Sequence, residues 1–314
     1  MNAIIYGGGT VGRATSLILG HAGIAARFWD LLTDRRTCEW GDVLAADVIF
    51  LCLSTMVSVD EDSKVVREEV KRLDDAGYAK QYVLRTTVAP GTADRLCKDF
   101  ALVRRWCSWP EFLREATWQE DALHPDRVIL GVPRYGPWPA PTEAESPVAL
   151  LRTVAVTVFP QAPVHTLTPT QAELAKLVSN ALLALRISVW SELAGKYKTP
   201  QVAAFGRDDP EPMIDDALMA AVAADPRLRS FGGVRFGEAF GGKCLPKDVA
   251  YLAARMPGGI IAGIQATNEK LGGPPMPPPP PPPEPVPLYL QVKRALRATV
   301  TATMEPEEEE SADA

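Results

Sequence analysis

In the first half of the chain, short hydrophobic runs alternate with longer segments whose hydrophobic residues recur at helical spacing. Runs of this kind, bounded by Gly, Asp or Pro, are typical of buried parallel strands, and the intervening segments are typical of covering helices. The predicted strands are residues 3–6, 24–29, 48–53, 82–84, 105–108 and 128–130, and the predicted helices include residues 10–19, 62–73 and 92–100. The alternation predicts a doubly wound α/β fold with a parallel sheet.

From residue 168 the hydrophobic period becomes helical and remains so to about residue 197. One predicted stripe of this helix comprises Leu174, Leu177, Val178, Ala181, Leu182, Leu185 and Val189. Because nearly thirty residues is long for a globular helix, we expect it to form a spine between domains or the core of a dimer. The rest of the chain to residue 271 is predicted to be helical, except for a glycine-rich loop at residues 231–244.

A sharp change in composition follows Gly273. Eleven of the fourteen residues 274–287 are proline, which predicts an extended polyproline II spacer. An acidic end follows, which is predicted to be disordered. The predicted organisation is therefore a sheet-containing domain at residues 1–167, an all-helical central domain with one long helix at 168–273, and a linker with a tail at 274–314.

Charge and composition exclude several functions. The 314 residues carry a net charge of −6 with a pI near 5.3, so no basic excess points to nucleic-acid binding. No apolar run reaches the length of a membrane span and the N-terminus does not resemble a signal peptide. Five cysteines without a CxxC pair predict a reduced, cytoplasmic protein. With only three histidines, no metal site is expected.

The sequence GGGTVG at residues 7–12 lies between a predicted strand and a predicted helix. Glycines there permit a tight turn and allow a pyrophosphate to approach the helix N-terminus. The next strand ends in Asp30, where a carboxylate would accept hydrogen bonds from the adenosine ribose and favour NAD over NADP. The candidate cofactor residues are Gly7, Gly9, Thr10, Val11, Gly12 and Asp30. Arg35 and Arg36 leave NADP possible, and a glycine-rich turn without a nucleotide is the alternative.

A second glycine-rich segment, FGGKCLPKD at residues 240–248, contains Cys244 just before a proline that suits the first turn of a helix. A thiol at a helix N-terminus between Lys243 and Lys247 is expected to have a lowered pKa and to act as a nucleophile. Asp248 lies one helical turn further on. The alternative is a structural cysteine in a flexible loop.

Two further candidates carry weaker signals. Lys176 and Asn180 are spaced i, i+4 on the long helix, so they project side by side and could hold a developing oxyanion. Glu111 follows a predicted strand, where open parallel sheets collect catalytic groups. A solvated lysine and a surface glutamate are the alternatives, and for Glu111 the residues alone favour the surface reading.

In their order and spacing these motifs resemble the UDP-glucose/GDP-mannose dehydrogenase family. The resemblance covers residues 1–273. Besides the dinucleotide glycines it comprises TTVAPGT at 86–92, PEFL at 110–113, PDRV at 125–128, the helix segment 172–180 and GGKCLPKD at 241–248, with DPR at 225–227 and NE at 268–269. It implies a Rossmann-type NAD-binding domain, a central helical domain and a homodimer formed through the long helix.

The resemblance also implies a mechanism. Such enzymes oxidise a sugar C6 alcohol to the carboxylate with two NAD molecules. Cys244 would form a thiohemiacetal and then a thioester, while Lys176 and Asn180 would stabilise oxyanions. Asp248 would orient a water or share base duty with Lys176, and Glu111 would assist thioester hydrolysis with a water that Thr87 positions. Ser54, Thr55 and Thr87 are further candidates for contacting NAD.

Several positions depart from the family pattern. Members carry a third domain that binds the nucleotide half of the substrate, and only 41 residues follow Gly273 here, so we expect that domain to be missing. Met56, Trp109 and Lys243 replace the usual proline, asparagine and serine. The alternatives are a dehydrogenase of a smaller hydroxy compound and a non-catalytic dinucleotide-binding scaffold whose Pro-rich tail recruits a partner.

Overall fold

The computed structural model describes residues 1–54, 57–102, 105–133, 147–197, 216–224, 238–242 and 244–274. These residues belong to a compact unit that spans Met1–Pro277. The Pro-rich linker beyond residue 274 and the acidic tail, about which the sequence makes predictions, lie outside the described residues. So do residues 225–227, Thr55, Met56 and Lys243.

One seven-stranded sheet organises the first part of the chain. Its strands are β1 (Ala3–Tyr6), β2 (Ala26–Trp29), β3 (Val48–Leu51), β4 (Gln81–Leu84), β5 (Trp106–Ser108), β6 (Val128–Gly131) and β7 (Val164–Leu167). They lie in the order β2-β1-β3-β4-β5-β6-β7. The first five strands in this order are parallel, which confirms the Rossmann-like α/β class.

The prediction of an entirely parallel sheet is wrong at one edge. Strand β6 pairs antiparallel with β5 through Ser108 and Gly131, and β7 then pairs parallel with β6. A buried run of four apolar residues has the same pattern in either direction, so periodicity could not reveal this reversal. Strand β7 was also missed, because its residues are half-exposed and mixed in polarity.

Helices cover both faces of the sheet, as the fold class requires. On one face α2 (Trp40–Ala45), α3 (Val59–Asp75) and α4 (Thr92–Asp99) bury Val43, Val66 and Leu96 against the strands. On the other face α1 (Thr10–His21), α5 (Trp118–Leu123) and α6 (Pro147–Val158) bury Ile18, Ala122 and Leu151. Each face thus has its own apolar core.

The remaining helices are α7 (Pro169–Tyr197), α8 (Asp216–Ala223), α9 (Leu245–Arg255) and α10 (Ile260–Lys270). Helix α7 has 29 residues. Its hydrophobic stripe is not one buried face: Leu177 and Ala181 are buried beside α9, whereas Leu174, Val178, Leu182 and Val189 are 41–57% exposed. The even spread of apolar residues around the helix explains why the sequence grouped both sets together.

The start of α7 is fixed by a close backbone contact. A methyl group at Gly131, the last residue of β6, would lie 2.8 Å from Cβ of Ala172 and 3.0 Å from Cα of Pro169. A real side chain does not fit at such distances, so only glycine permits α7 to begin this close to the sheet. Among the described helices, none is both long and apolar enough to cross a membrane.

Candidate active site

The glycine loop after β1 has the geometry of a dinucleotide-binding turn. Gly7 has a φ of +112°, and a Cβ there would lie 2.4 Å from the carbonyl oxygen of Cys52. A Cβ at Gly12 would lie 2.0 Å from the carbonyl oxygen of Gly7. By contrast, Gly9, the N-cap of α1, faces open space, and the first turn of α1, at Thr10 and Val11, contains no acidic side chain. The helix N-terminus therefore presents N–H groups to a space that suits an anionic pyrophosphate.

Asp30, at the end of β2, closes this loop. Its Oδ2 accepts a hydrogen bond from the Gly8 amide at 2.6 Å and its Oδ1 accepts one from the Leu32 amide at 2.9 Å. Each oxygen retains a second acceptor position, so the carboxylate can also receive ribose hydroxyls. The residues present thus fit NAD. Of the other two candidate contacts after β3, Ser54 is exposed and Thr55 lies outside the described residues.

A buried ion pair joins two of the predicted catalytic residues. Nζ of Lys176 lies 3.6 Å from Oε1 of Glu111, and their side chains are only 4% and 7% exposed. Oε2 of Glu111 accepts a hydrogen bond from the Leu113 amide at 2.7 Å, which fixes the carboxylate. Lys176 is therefore not a solvated lysine and Glu111 is not a surface glutamate, which were the alternatives for these two residues.

A second buried cluster lies one helical turn along α7. Nδ2 of Asn180 donates to Oδ2 of Asp248 at 2.6 Å. Nζ of Lys247 lies 2.8 Å from Oδ2 of Asp62 and 3.5 Å from Oδ1 of Asp248. Burial raises the pKa of Asp248, although Lys247, Lys176 and Asn180 oppose the change. Asp248 therefore holds a proton more readily than an ordinary aspartate does.

Cys244 caps the N-terminus of α9 and is exposed, whereas Cys38, Cys52, Cys97 and Cys107 are buried. The prediction of a lowered thiol pKa is wrong. Removal of water from the thiol by the surrounding protein raises the pKa of Cys244 above its ordinary value, and Glu111 and Asp248 raise it further. Lys176 and Lys247 only partly offset this rise. The largest cause is the loss of hydration around the thiol, which disfavours the thiolate more than attraction to the two lysines favours it. A base must therefore take the thiol proton when this cysteine acts as a nucleophile.

Thr87 lies after β4, beside a small cavity of about 10 Å³ that Lys176, Glu173 and Pro110 also line. This volume is on the order of one water molecule. The placement is compatible with the water-positioning role that the resemblance implies.

A much larger cavity of about 880 Å³ opens beside these clusters. Its lining includes Glu111, Lys176, Asn180 and Leu245, the residue after Cys244. Its walls also carry Arg85, Arg114, Arg127, His124, Arg186 and Trp190. The cavity has the size of a small-molecule site and several cationic groups that could face phosphates.

Two site residues were missed in the sequence. Asp62 lies in α3, 185 positions before the Lys247 that it binds, and its only signal was an acidic side chain among the apolar positions of a helix. Arg85 directly follows a buried strand and is itself only 3% exposed; its position at the carboxyl end of β4 was the available signal. The described residues contain no group of His, Cys, Asp and Glu suited to a metal ion.

These features define a class of protein, namely an α/β dinucleotide-binding protein with a buried Lys–Glu–Asn–Asp cluster beside a cysteine and a large cavity. Residues 35–135 match the model of the UDP-glucose/GDP-mannose dehydrogenase family, NAD binding domain. Over these residues the chain carries the NAD-binding domain of this family, and that domain indicates NAD as the cofactor.

Curated relatives agree with this assignment. UDP-glucose 6-dehydrogenase of Rickettsia typhi is 33% identical over 54% of this chain and 35% of its own length. UDP-glucose 6-dehydrogenase AglM of Haloferax volcanii is 30% identical over 70% of this chain and 50% of its own length. The chain thus spans half or less of the length of these two relatives.

Solved structures share the fold. A UDP-glucose dehydrogenase from Pyrobaculum islandicum superimposes with a TM-score of 0.59 at 23% identity, covering 86% of this chain and 68% of that one. A UDP-D-ManNAc dehydrogenase from Pyrococcus horikoshii gives a TM-score of 0.66 at 15% identity, covering 98% and 74%.

Proposed function

We propose that this protein oxidises the C6 alcohol of a nucleotide sugar to the carboxylate, using NAD and a covalent step at Cys244. The observation that carries the proposal is the burial of Lys176, Glu111, Asn180 and Asp248 in two linked clusters beside the cavity, with Cys244 within their electrostatic reach. Burial of four polar groups is costly unless they are used or mutually satisfied.

Each residue has a role that its surroundings support. The Cys244 thiol adds to the aldehyde carbon, its proton passes to Asp248, and the carbonyl oxygen becomes an oxyanion. The raised pKa of Asp248 suits it to receive that proton. Nζ of Lys176 and the second N–H of Asn180 are the donors that would stabilise the oxyanion.

Glu111 is the candidate base for the water that releases the acid from Cys244, since its Oε2 is held by the Leu113 amide while its Oε1 faces Lys176. Thr87 would hold that water. When bound, NAD supplies the hydride acceptor for both oxidations. Gly7, Gly9, Gly12 and Asp30 would hold its adenosine and pyrophosphate, with Thr10 and Val11 in the first turn of α1 and Ser54, Thr55 and Thr87 nearer the reacting end.

The test is the NADH yield against a panel of nucleotide sugars and small hydroxy compounds. Two NADH per substrate are expected with a nucleotide sugar. One NADH, formed only with a smaller compound, would favour the simpler dehydrogenase, and no turnover with any substrate would favour the scaffold. Cys244→Ser should abolish acid formation but preserve NAD binding, because a hydroxyl is a far poorer nucleophile. Cys38→Ser is the matched control, since a serine hydroxyl can keep the bond of Cys38 to the Phe28 carbonyl.

We also propose a homodimer in which α7 packs against a second copy. Its row of exposed apolar residues, Leu174, Val178, Leu182 and Val189, supports this arrangement, because contiguous apolar patches commonly mark interfaces. Recruitment of a partner by the Pro-rich segment, and a cytoplasmic location, remain predictions from the sequence.

A further inference from the structure

Arg85 is a buried cation that the proposed chemistry does not use. It directly follows β4, is 3% exposed and lines the large cavity. Its Nε donates to Oγ1 of Thr15 in α1 at 3.2 Å, and its Nη1 donates to the carbonyl oxygen of Trp109 at 3.0 Å. The guanidinium also lies 3.9 Å from the centre of the Trp109 ring. The side chain therefore connects the helix that follows the glycine loop to the wall of the cavity.

The charge of Arg85 is not neutralised by an ion pair. No carboxylate of the described residues lies within ion-pair distance of it, and Thr15 and Trp109 offer only neutral oxygens. Burial lowers its pKa, with Cys52 and Glu111 opposing the change, but an arginine remains charged at neutral pH. A lone buried cation is costly, so one without a carboxylate partner needs an explanation.

One edge of the guanidinium is also available. Nη2 has no hydrogen-bond partner among the described residues. It is also not one of the unpartnered polar atoms that are fully buried. Since Arg85 lines the cavity, this N–H edge is the donor that remains for a ligand there.

The position of Arg85 favours the cofactor as this ligand. A hydride passes by direct contact, so the reacting end of the cofactor has to lie between the glycine loop and the residues around Lys176. Arg85 is at this junction: Thr15 is one turn beyond the glycine loop, and Glu111, which pairs with Lys176, acts electrostatically on Arg85.

We propose that Arg85 is a further cofactor-binding residue, which presents Nη2 to the nicotinamide end of NAD. Because its charge has no ion-pair partner, the site binds the reduced cofactor more tightly than the oxidised one. The oxidised ring is a cation and is repelled by the guanidinium, whereas the reduced ring is neutral. The carboxamide oxygen of either ring is a suitable acceptor for Nη2. The inference rests on NAD as the cofactor of the proposed function.

The test is equilibrium binding of NADH, NAD⁺ and ADP-ribose, which lacks the nicotinamide, by calorimetry on the full chain. The wild type should bind NADH roughly tenfold more tightly than NAD⁺ or better. Arg85→Gln, which is neutral but keeps a donor for the Trp109 carbonyl, should reduce this ratio severalfold. Arg85→Lys, which keeps the charge, should retain most of it. ADP-ribose affinity should change less than about twofold in both variants, as additivity at separate sites predicts.

Three results would overturn the proposal. The first is equal affinity of the wild type for NADH and NAD⁺; this result needs no variant, so the test stands even if Arg85→Gln does not fold. The second is an equal ratio in all folded forms. The third is a parallel loss of affinity for all three ligands, which would assign Arg85 a purely structural role. If the wild type bound neither NAD⁺ nor ADP-ribose, the cofactor assignment itself would fail, and Arg85 would fail with it.

Discussion

Asn180 donates a hydrogen bond from Nδ2 to Oδ2 of Asp248 over 2.6 Å, although the two residues are 68 positions apart. The bond joins α7 to α9 in a fully buried environment. It also helps to keep the pKa of Asp248 from rising further. A single amide therefore affects both helix packing and the proton affinity of a proposed base.

Replacing Asn180 should impair the chemistry more than substrate binding. Asn180→Ala removes one candidate oxyanion donor, and the loss of one such donor typically lowers kcat by about 100- to 1000-fold. Steady-state kinetics would measure kcat and KM separately. Ser188→Ala is the control on the same helix, because the buried Ser188 hydroxyl has no hydrogen-bond partner among the described residues. A fall confined to KM would contradict the oxyanion role.

Alkylation should be selective for Cys244. The other four cysteines are buried, so brief treatment with iodoacetamide should add one label, and none to Cys244→Ser. Because the pKa of Cys244 is raised, the labelling rate should keep rising with pH beyond the titration of an ordinary thiol. In Lys176→Met the rise should shift to still higher pH, since Lys176 lowers this pKa. Mass spectrometry over a pH series measures the labelling rate. A rate that levels off near neutral pH would show that the pKa of Cys244 is not raised, which would contradict the structure.

Glu173 should make folding stability depend on pH. Its two oxygens accept hydrogen bonds from the Gly91 and Ala93 amides at the start of α4, but burial raises its pKa to about 8. The ordinary glutamate value is about 4.5, so between these two pH values the folded state retains a proton that the unfolded state has lost. The contribution of Glu173 to the free energy of unfolding is therefore largest below pH 4.5 and decreases as the pH rises toward 8. The slope is at most about 1.4 kcal/mol per pH unit.

Urea unfolding at several pH values would measure this dependence. Glu173→Gln should be less sensitive to pH across the window, whereas Glu68→Gln, at an exposed position on α3, should behave as the wild type does. Equal pH dependence in all three proteins would show that Glu173 titrates normally.

Asp30 should favour NAD over NADP. A 2′-phosphate on the adenosine ribose would face the carboxylate that holds the Gly8 and Leu32 amides. Asp30→Asn should narrow the ratio of the two dissociation constants by roughly tenfold, because the repulsion between like charges is removed. Asp34→Asn, on the same exposed segment, should leave the ratio unchanged. Calorimetry showing tighter NADP binding by the wild type would contradict the role of Asp30 and favour Arg35 or Arg36.

A charge on the exposed face of α7 should prevent association. Val178→Lys places a cation in the apolar row that the proposed dimer would bury, and burying an unpaired charge is costly. Light scattering should detect a dimer of the wild type at micromolar concentration and a monomer of the variant. Val156→Lys, at an apolar residue of α6 that is 71% exposed, is the control. A monomeric wild type would remove the dimer from the proposal.

Local patterns predicted much of the fold and the site. All five strands of the parallel part lie within two residues of their expected bounds at both ends, because buried apolar runs between turn residues are a strong signal. The glycine loop could be predicted for the same reason, since Gly7 and Gly12 stand where no side chain fits. Local signals failed where the answer lies in residues distant in the sequence. The direction of β6 depends on the pairing of Ser108 with Gly131, and the pKa of Cys244 is raised mainly because the surrounding protein removes water from the thiol.

The close contact between Gly131 and the start of α7 divides this helix into two parts with different roles. Its first turn is held by backbone contact with β6, and Glu173 ties the same turn to α4. Lys176 and Asn180 follow within two turns of this anchor, whereas Leu183, Arg186 and Trp190 line the cavity from the far half of the helix. Substitutions at those three positions could therefore change which molecules the cavity accepts while the reactive groups keep their places, so α7 can evolve new selectivity without giving up its chemistry.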